Sequence, residues 1–308
     1  MGLLVEGEWK NRWYDTSESG GRFVRGEAQY RKWVRRGDAE HPPEAGRYHL
    51  YVANACPWAH RTLIYRSLLG LEDAISVSVV APDMLDEGWV FDADHPGHLF
   101  GSQRLYEVYQ KADPGFTGRV TVPVLWDKQA ETIVNNESSE IIRMLDEEFG
   151  VDAPDLRPVA LRAEIDAINP RVYEDVNNGV YKCGFATTQE AYDEAVTALF
   201  DTLDWLEARL EGKTFLVGER LTEADLRLFT TLLRFDPVYH VHFKCDRRRI
   251  SDYPNLWRLT RRIYQMPAVK KTVNMNEIRR HYFYSHESVN PHRIVPVMPD
   301  IDFDAPVD

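Results

Sequence analysis

The sequence predicts two regions of different class, an α/β region followed by an all-helical one. Three observations carry that expectation. Strand-like apolar alternation falls in the first half, in RYHLYVAN (47–54), AISVSVVAP (74–82), VTVPVLWD (120–127) and ETIVNN (131–136). A Pro-rich stretch, Asp152 to Pro158, then breaks the pattern. From 159 to 285 apolar residues recur at helical spacing, with almost no alternation.

Taken in order, residues 1–45 mix aromatic, charged and Gly positions without clear periodicity, and read as an irregular extension. The first strand, RYHLYVAN, is followed by a helical pattern at 58–69 that Gly70 ends. AISVSVVAP is the second strand. A polar and aromatic connection runs from Pro82 to Gly118. VTVPVLWD and ETIVNN follow as short strands joined by a turn at Asp127–Ala130, and ESSEIIRMLDEEFG (137–150) closes the region as a helix. The order β-α-β, connection, β-β-α is thioredoxin-like, provided the connection holds the second helix. In the second region, TQEAYDEAVTALFDTLDWLEARLEG is an amphipathic helix ending at Gly212. Thr222 with Asp225 three residues on is a relative of the capping box and opens the next helix. A further helix, YPNLWRLTRRIYQM, starts near a proline and stops before Pro267. The expected division is 1–45 extension, 46–152 thioredoxin-like domain, 153–288 helical domain and 289–308 tail. That tail, with little periodicity, is expected to lie extended on the surface or on a partner subunit.

Composition narrows the function classes. A chain of 308 residues builds cores large enough to need no staples. Its net charge of −12 disfavours nucleic acid, because phosphate neutralisation needs a basic surface. An acidic surface with more Arg than Lys suits a high-salt cytoplasm and an ordinary one alike. No apolar run has the length of a membrane span. MGLLVEGEWKNRW carries charge and Trp where a signal peptide carries an apolar core, so a cytoplasmic protein is expected. The three cysteines, Cys56, Cys183 and Cys245, form no framework and no C-x-x-C pair, so neither disulfides nor a structural zinc site is expected. Histidines at 240, 242, 281 and 286 lack an acid or cysteine to complete a ligand set and are read as structural, with no metal expected.

The informative stretch is Asn54-Ala-Cys-Pro-Trp-Ala59. A strand leads to Cys56, Pro57 suits the first helical position, and a helix follows. First-turn N–H groups and the helix dipole then favour thiolate at Cys56. Ala59 stands where a C-x-x-C pair would have its second cysteine. A mixed disulfide on Cys56 therefore needs an outside thiol to resolve it, which points to a small thiol cosubstrate such as glutathione. Cys183 and Cys245 lack this context and read as small buried hydrophobes.

Several motifs resemble one family: NACPWAHR (54–61), GWVF (88–91), GRVTVPVLWD (118–127), NNESSEIIRM (135–144), VYKCGFATTQEAYDEAV (180–196) and RRHYFYSH (279–286). The chain is similar to the xi-class glutathione transferases, the glutathionyl-hydroquinone reductases, from about residue 5 into the tail. The resemblance implies the glutathione transferase fold, a homodimer, and glutathione or a similar γ-glutamyl thiol as cosubstrate. It implies Cys56 as nucleophile and Tyr181 as its catalytic partner. Pro123 matches the family's cis-proline, which presents the backbone of Val122 to the cysteinyl part of glutathione. Ser138 and the first-turn N–H groups match holders of the γ-glutamyl carboxylate, and Glu137 a holder of its ammonium; both also read as a helix cap. Trp89 and Arg119 match glutathione contacts, Arg119 toward the glycyl carboxylate. Tyr282, with Tyr284 nearby, matches a substrate-side tyrosine, and Trp58 offers an apolar wall for an aromatic ring.

The implied reaction is reductive deglutathionylation of a glutathionyl-hydroquinone through a mixed disulfide on Cys56. Two other readings stand beside it. One is an omega-like thioltransferase or dehydroascorbate reductase, which also uses a single thiol. The other is a non-catalytic transferase-like scaffold.

Overall fold

The computed structural model describes residues 2–149 and 153–307. The helix expected over 137–150 and the boundary expected at 152/153 run into residues 150–152, which lie outside the described residues. Contacts divide the chain into two compact units. The first holds Met1–Trp13, Gly26–Pro154 and Thr272–His281; the second holds Tyr14–Arg25, Asp155–Lys271 and Tyr282–Asp308. The units interleave along the chain, where the sequence suggests consecutive blocks.

The first unit is built on a four-stranded sheet. Strands β1 (Leu3–Val5) and β2 (Glu8–Lys10) stand apart from it; β3 (Tyr48–Val52), helix α1 (Pro57–Leu68) and β4 (Ile75–Val79) follow. Helix α2 (Leu105–Ala112), β5 (Gly118–Arg119), β6 (Val124–Asp127), β7 (Thr132–Asn135) and α3 (Ser138–Met144) complete the unit's main elements. The sheet order is β4-β3-β6-β7. β3 runs parallel to β4 and antiparallel to β6, and β6 runs antiparallel to β7. All five residues of β3 are buried, as a central strand requires. The connection from Pro82 does contain its helix, α2. The strand expected over 120–127 is regular only from Val124, after a cis Val122–Pro123 bond.

The expectation of an irregular extension over 1–45 fails at its start. β1 and β2 form a hairpin that pairs with β5. Its turn places Glu6 and Gly7 at φ 50° and 78°, the twist two-residue hairpins favour. A Cβ on Gly7 would lie 2.0 Å from the Pro114 carbonyl oxygen, so only glycine fits. Three-residue strands are too short for alternation to show.

The second unit is helical: α4 (Arg162–Arg171), α5 (Gly179–Phe185), α6 (Gln189–Arg209), α7 (Glu223–Arg234), α8 (His240–His242), α9 (Pro254–Tyr264) and α10 (Pro267–Lys270). The last helix, α11 (Met275–Ser285), contributes residues through His281 to the first unit and the rest to the second. α7 is buried along its whole length. Its start is held by Asp225, whose carboxylate accepts from Thr222 N and Oγ1, both at 2.9 Å, and from Leu216 N at 2.8 Å. The tail folds back on its own chain. Phe303 packs on Trp257 and Tyr264, and Gln265 donates to the carbonyls of Phe303 and Ala305.

Candidate active site

Cys56 is the N-cap of α1, with Pro57 at the first helical position. β3 ends at Val52, and the turn Ala53–Ala55 carries the chain to the cysteine, whose N–H donates to Ala53 O at 3.1 Å. The side chain is half-buried, and its Sγ lies 3.7 Å from the carbonyl oxygen of Val122. The thiol therefore sits beside the cis-proline backbone. The first turn of α1 holds no acidic residue. One turn on, the guanidinium of Arg61 is 1% exposed and lies 4.6 Å from the ring centroid of half-buried Trp58. A helix N-terminus favours a thiolate over a thiol. Asn54, in the turn before the cysteine, donates to Glu277 at 3.0 Å, which ties that turn to α11.

The residues matched to glutathione contacts cluster in the same unit. Glu137 is the N-cap of α3, and its carboxylate accepts from Ser139 N and Oγ, both at 2.8 Å. Ser138 is buried, and its Oγ accepts from Arg61 Nη1 at 3.4 Å. Trp89 is buried and stacks on His281 at 4.8 Å, while its indole N–H has no acceptor among the described residues. Arg119 is half-buried and turns its guanidinium to the chain itself, donating to the carbonyls of Arg12 and Trp13.

In the helical unit the structure brings Tyr181 and Tyr282 together, with their hydroxyls 2.6 Å apart. A third phenol, Tyr239, meets Tyr282 at 2.9 Å. The ring of Tyr181 lies 4.8 Å from the guanidinium carbon of Arg25. Burial pushes the phenols of Tyr239 and Tyr282 well above the ordinary tyrosine value. Tyr284 is not part of this group; its ring lies under Arg293 of the tail. The structure therefore separates the two tyrosines that the run HYFY leaves open. Of the histidines, His242 and His286 pair at 3.1 Å, and no group of three metal-binding side chains occurs among the described residues.

Comparison with known proteins agrees with this fold. Family profiles described as the N-terminal and C-terminal domains of glutathione S-transferase match residues 55–148 and 189–262. The chain is 57% identical to the glutathionyl-hydroquinone reductase PcpF of Sphingobium chlorophenolicum, covering 97% of this chain and 96% of that one. It superposes on the glutathione-bound structure of YqjG from Escherichia coli K-12 with a TM-score of 0.91, at 50% identity, over 99% of this chain and 98% of that one. A Xi-class transferase from Natrialba magadii gives a TM-score of 0.93 at 48% identity, over 100% of this chain and 97% of that one. The chain belongs to the Xi class of glutathione transferases.

Within this Xi-class transferase, two residues escape sequence reading. Tyr239 lies in FDPVYHVH, where nothing marks it as more than a core aromatic; only the fold shows it to be bonded to Tyr282. Arg61 lies in the quoted NACPWAHR, yet a charged side chain on an amphipathic helix reads as solvated. Its burial beside Ser138 appears only once α3 packs against α1.

Proposed function

We propose that the chain is a glutathionyl-hydroquinone reductase: it removes glutathione reductively from glutathionyl-hydroquinones, with glutathione or a similar γ-glutamyl thiol as cosubstrate. The observation that carries this reading is the single thiol of Cys56 at a helix N-terminus, 3.7 Å from Val122 O beside cis-Pro123, in a chain whose full-length relatives include enzymes of that name.

In the proposed mechanism the Cys56 thiolate attacks the sulfur that links glutathione to the ring. A sulfur–sulfur bond forms, and the carbon–sulfur bond breaks with its electron pair passing to the ring. That carbanion is a poor leaving group unless the ring has tautomerised to a keto form, so that electrons flow toward oxygen. Tyr181 supplies the proton at the ring, and Tyr282 acts behind it. Trp58 offers an apolar face to the ring. A second glutathione attacks the mixed disulfide, releases glutathione disulfide and regenerates the thiolate, a ping-pong sequence. The glutathione subsite is assigned to Val122 and Pro123 for the cysteinyl part, Ser138 with the first turn of α3 for the γ-glutamyl carboxylate, and Glu137 for the ammonium. Trp89 has an unused indole donor that suits a bound peptide. Arg119 is assigned to the glycyl carboxylate; two of its five N–H donors go to the carbonyls of Arg12 and Trp13.

Wild type and Cys56→Ala are compared for reduction of a glutathionyl-hydroquinone. Equal rates overturn the proposal. Activity on simple mixed disulfides with none on the hydroquinone favours the omega-like thioltransferase. A Cys56 that resists a thiol probe near neutral pH, with no glutathione binding, favours the scaffold. The proposal also keeps a cytoplasmic, metal-independent homodimer, for which light scattering and metal analysis of the purified protein are the checks.

A further inference from the structure

The three phenols of the helical unit differ in what surrounds their hydroxyls. Tyr239 is fully buried, and its hydroxyl bonds to those of Tyr282, at 2.9 Å, and Tyr181. A phenol carries a single proton to donate, and burying that proton without an acceptor is costly. Tyr239 therefore donates into the Tyr181–Tyr282 pair. Tyr282, 1% exposed, is 2.6 Å from Tyr181, the shorter of its two phenol contacts. The rings leave Tyr239 little freedom to turn away. It stacks on Phe243 at 5.4 Å with planes 6° apart, and meets Tyr282 edge-on at 5.3 Å. Phe243 is itself held against α5, where a Cβ on Gly184 would lie 2.1 Å from its ring.

We propose that Tyr239 is a positioning residue which donates its phenol proton into the Tyr282–Tyr181 pair, making Tyr181 the acid of the group and the place where negative charge is stabilised. The inference rests on the deglutathionylation reading and deepens it. Tyr181, accepting from Tyr282, keeps its own proton for the ring carbon that loses sulfur. The electron pair of the carbon–sulfur bond stays with the ring and takes that proton, while sulfur remains bonded to Cys56. The phenolate left on Tyr181 accepts from the neighbouring phenols Tyr282 and Tyr239. The proton lost from the second glutathione thiol restores it.

The charged and titratable groups around the chain fit this direction. Arg25 lies 4.8 Å from the Tyr181 ring centroid, on the phenol that becomes anionic. Arg234, buried on α7 and donating to Thr230 O at 2.9 Å, lends positive charge to Tyr239 and Tyr282. His286 and His242 approach the Tyr282 ring at 5.4 and 6.4 Å. Burial outweighs the Arg234 charge at both inner phenols, so they stay protonated and able to donate.

The test replaces Tyr239 by Phe, which keeps the ring and removes the donor. With Tyr239→Phe, kcat for a glutathionyl-hydroquinone falls roughly tenfold while KM for glutathione holds. Loss of the donor raises the Tyr181 pKa, so the alkaline limb of the kcat profile moves up by about one pH unit. Ultraviolet titration follows the same group without turnover: the tyrosinate step that vanishes in Tyr181→Phe moves up in Tyr239→Phe. An unmoved step and limb overturn the inference, whatever happens to kcat. If Tyr239→Phe does not fold, Tyr282→Phe cuts the same chain and must raise the step at least as far; an unmoved step there overturns it too. If wild type reduces no glutathionyl-hydroquinone, the deglutathionylation reading falls, and the titration alone decides the hydrogen-bond order.

Discussion

The two units treat buried acids in opposite ways. In the sheet-bearing unit Asp127 is surrounded by donors: Arg47 approaches at 2.6 Å, His41 at 2.9 Å, and Gln129 N and Ala130 N at 2.9 and 3.1 Å. Burial alone would raise its carboxyl, but these bonds outweigh it and hold the group at about 2. In the helical unit Asp225 is fully buried with backbone and hydroxyl donors and no cation among its partners, and burial pushes it up to about 6. The phenols of Tyr239 and Tyr282 are likewise raised. Burial raises phenols in both units, Tyr48, Tyr51 and Tyr109 in the first included, so the contrast lies in the two carboxylates: Asp127 is held as an anion and Asp225 is favoured as an acid. A thiolate chemistry that ends in proton donation likewise needs a held anion and a held proton.

The sharpest way to break that comparison is at the thiol. Cys56→Ser should lose at least about a thousandfold in turnover, because the hydroxyl is not an anion at neutral pH. If Cys183 or Cys245 were the reacting group, the variant would keep its activity. Both are buried, and burial pushes the Cys245 thiol well above its ordinary value, so iodoacetamide at neutral pH should label Cys56 alone.

Next in size is the buried ion pair. Arg47→Met strands the Asp127 carboxylate and should cost about 3 kcal/mol in denaturant unfolding. Tyr181→Phe should lower kcat roughly a hundredfold while leaving unfolding almost unchanged, since it removes one half-buried hydroxyl. Comparable losses of kcat in these two variants would erase the distinction between a structural anion and a working proton donor.

The smallest effect is a difference in sign. Asp127 has a folded pKa below its unfolded value, so its stabilisation is present above about 4 and is lost as pH falls toward 2. Asp225 has a folded pKa above its unfolded value, so its contribution is full below about 4 and declines as pH rises through 6. Asp225→Asn should therefore look worse relative to wild type at pH 4 than at pH 7, by on the order of 1–2 kcal/mol. A difference that is flat with pH, measured by urea unfolding, would show that Asp225 is not a raised acid.

The sheet-bearing unit was the more legible in sequence for a physical reason. Its proposed reacting group is local: Cys56 and Pro57 adjoin, and the strand before them and the helix after them show within a few residues. The hairpin of β1 and β2 was not, because three-residue strands hold too little pattern. The phenol group was half legible. Tyr181 and Tyr282 stand in motifs that resemble the family, but Tyr239 meets Tyr282 through a contact 43 residues distant in sequence, and no spacing rule reaches that far. The choice between Tyr282 and Tyr284 likewise needed the helix phase of α11, which turns one ring to Tyr181 and the other to Arg293.

The most direct measurement is mass spectrometry of the protein quenched in acid during turnover of a glutathionyl-hydroquinone with limiting glutathione. We expect one glutathionyl group, on the peptide that holds Cys56, removed when glutathione is added. Turnover without that adduct, or with the adduct on Cys183 or Cys245, would contradict a reaction that passes through a mixed disulfide on Cys56.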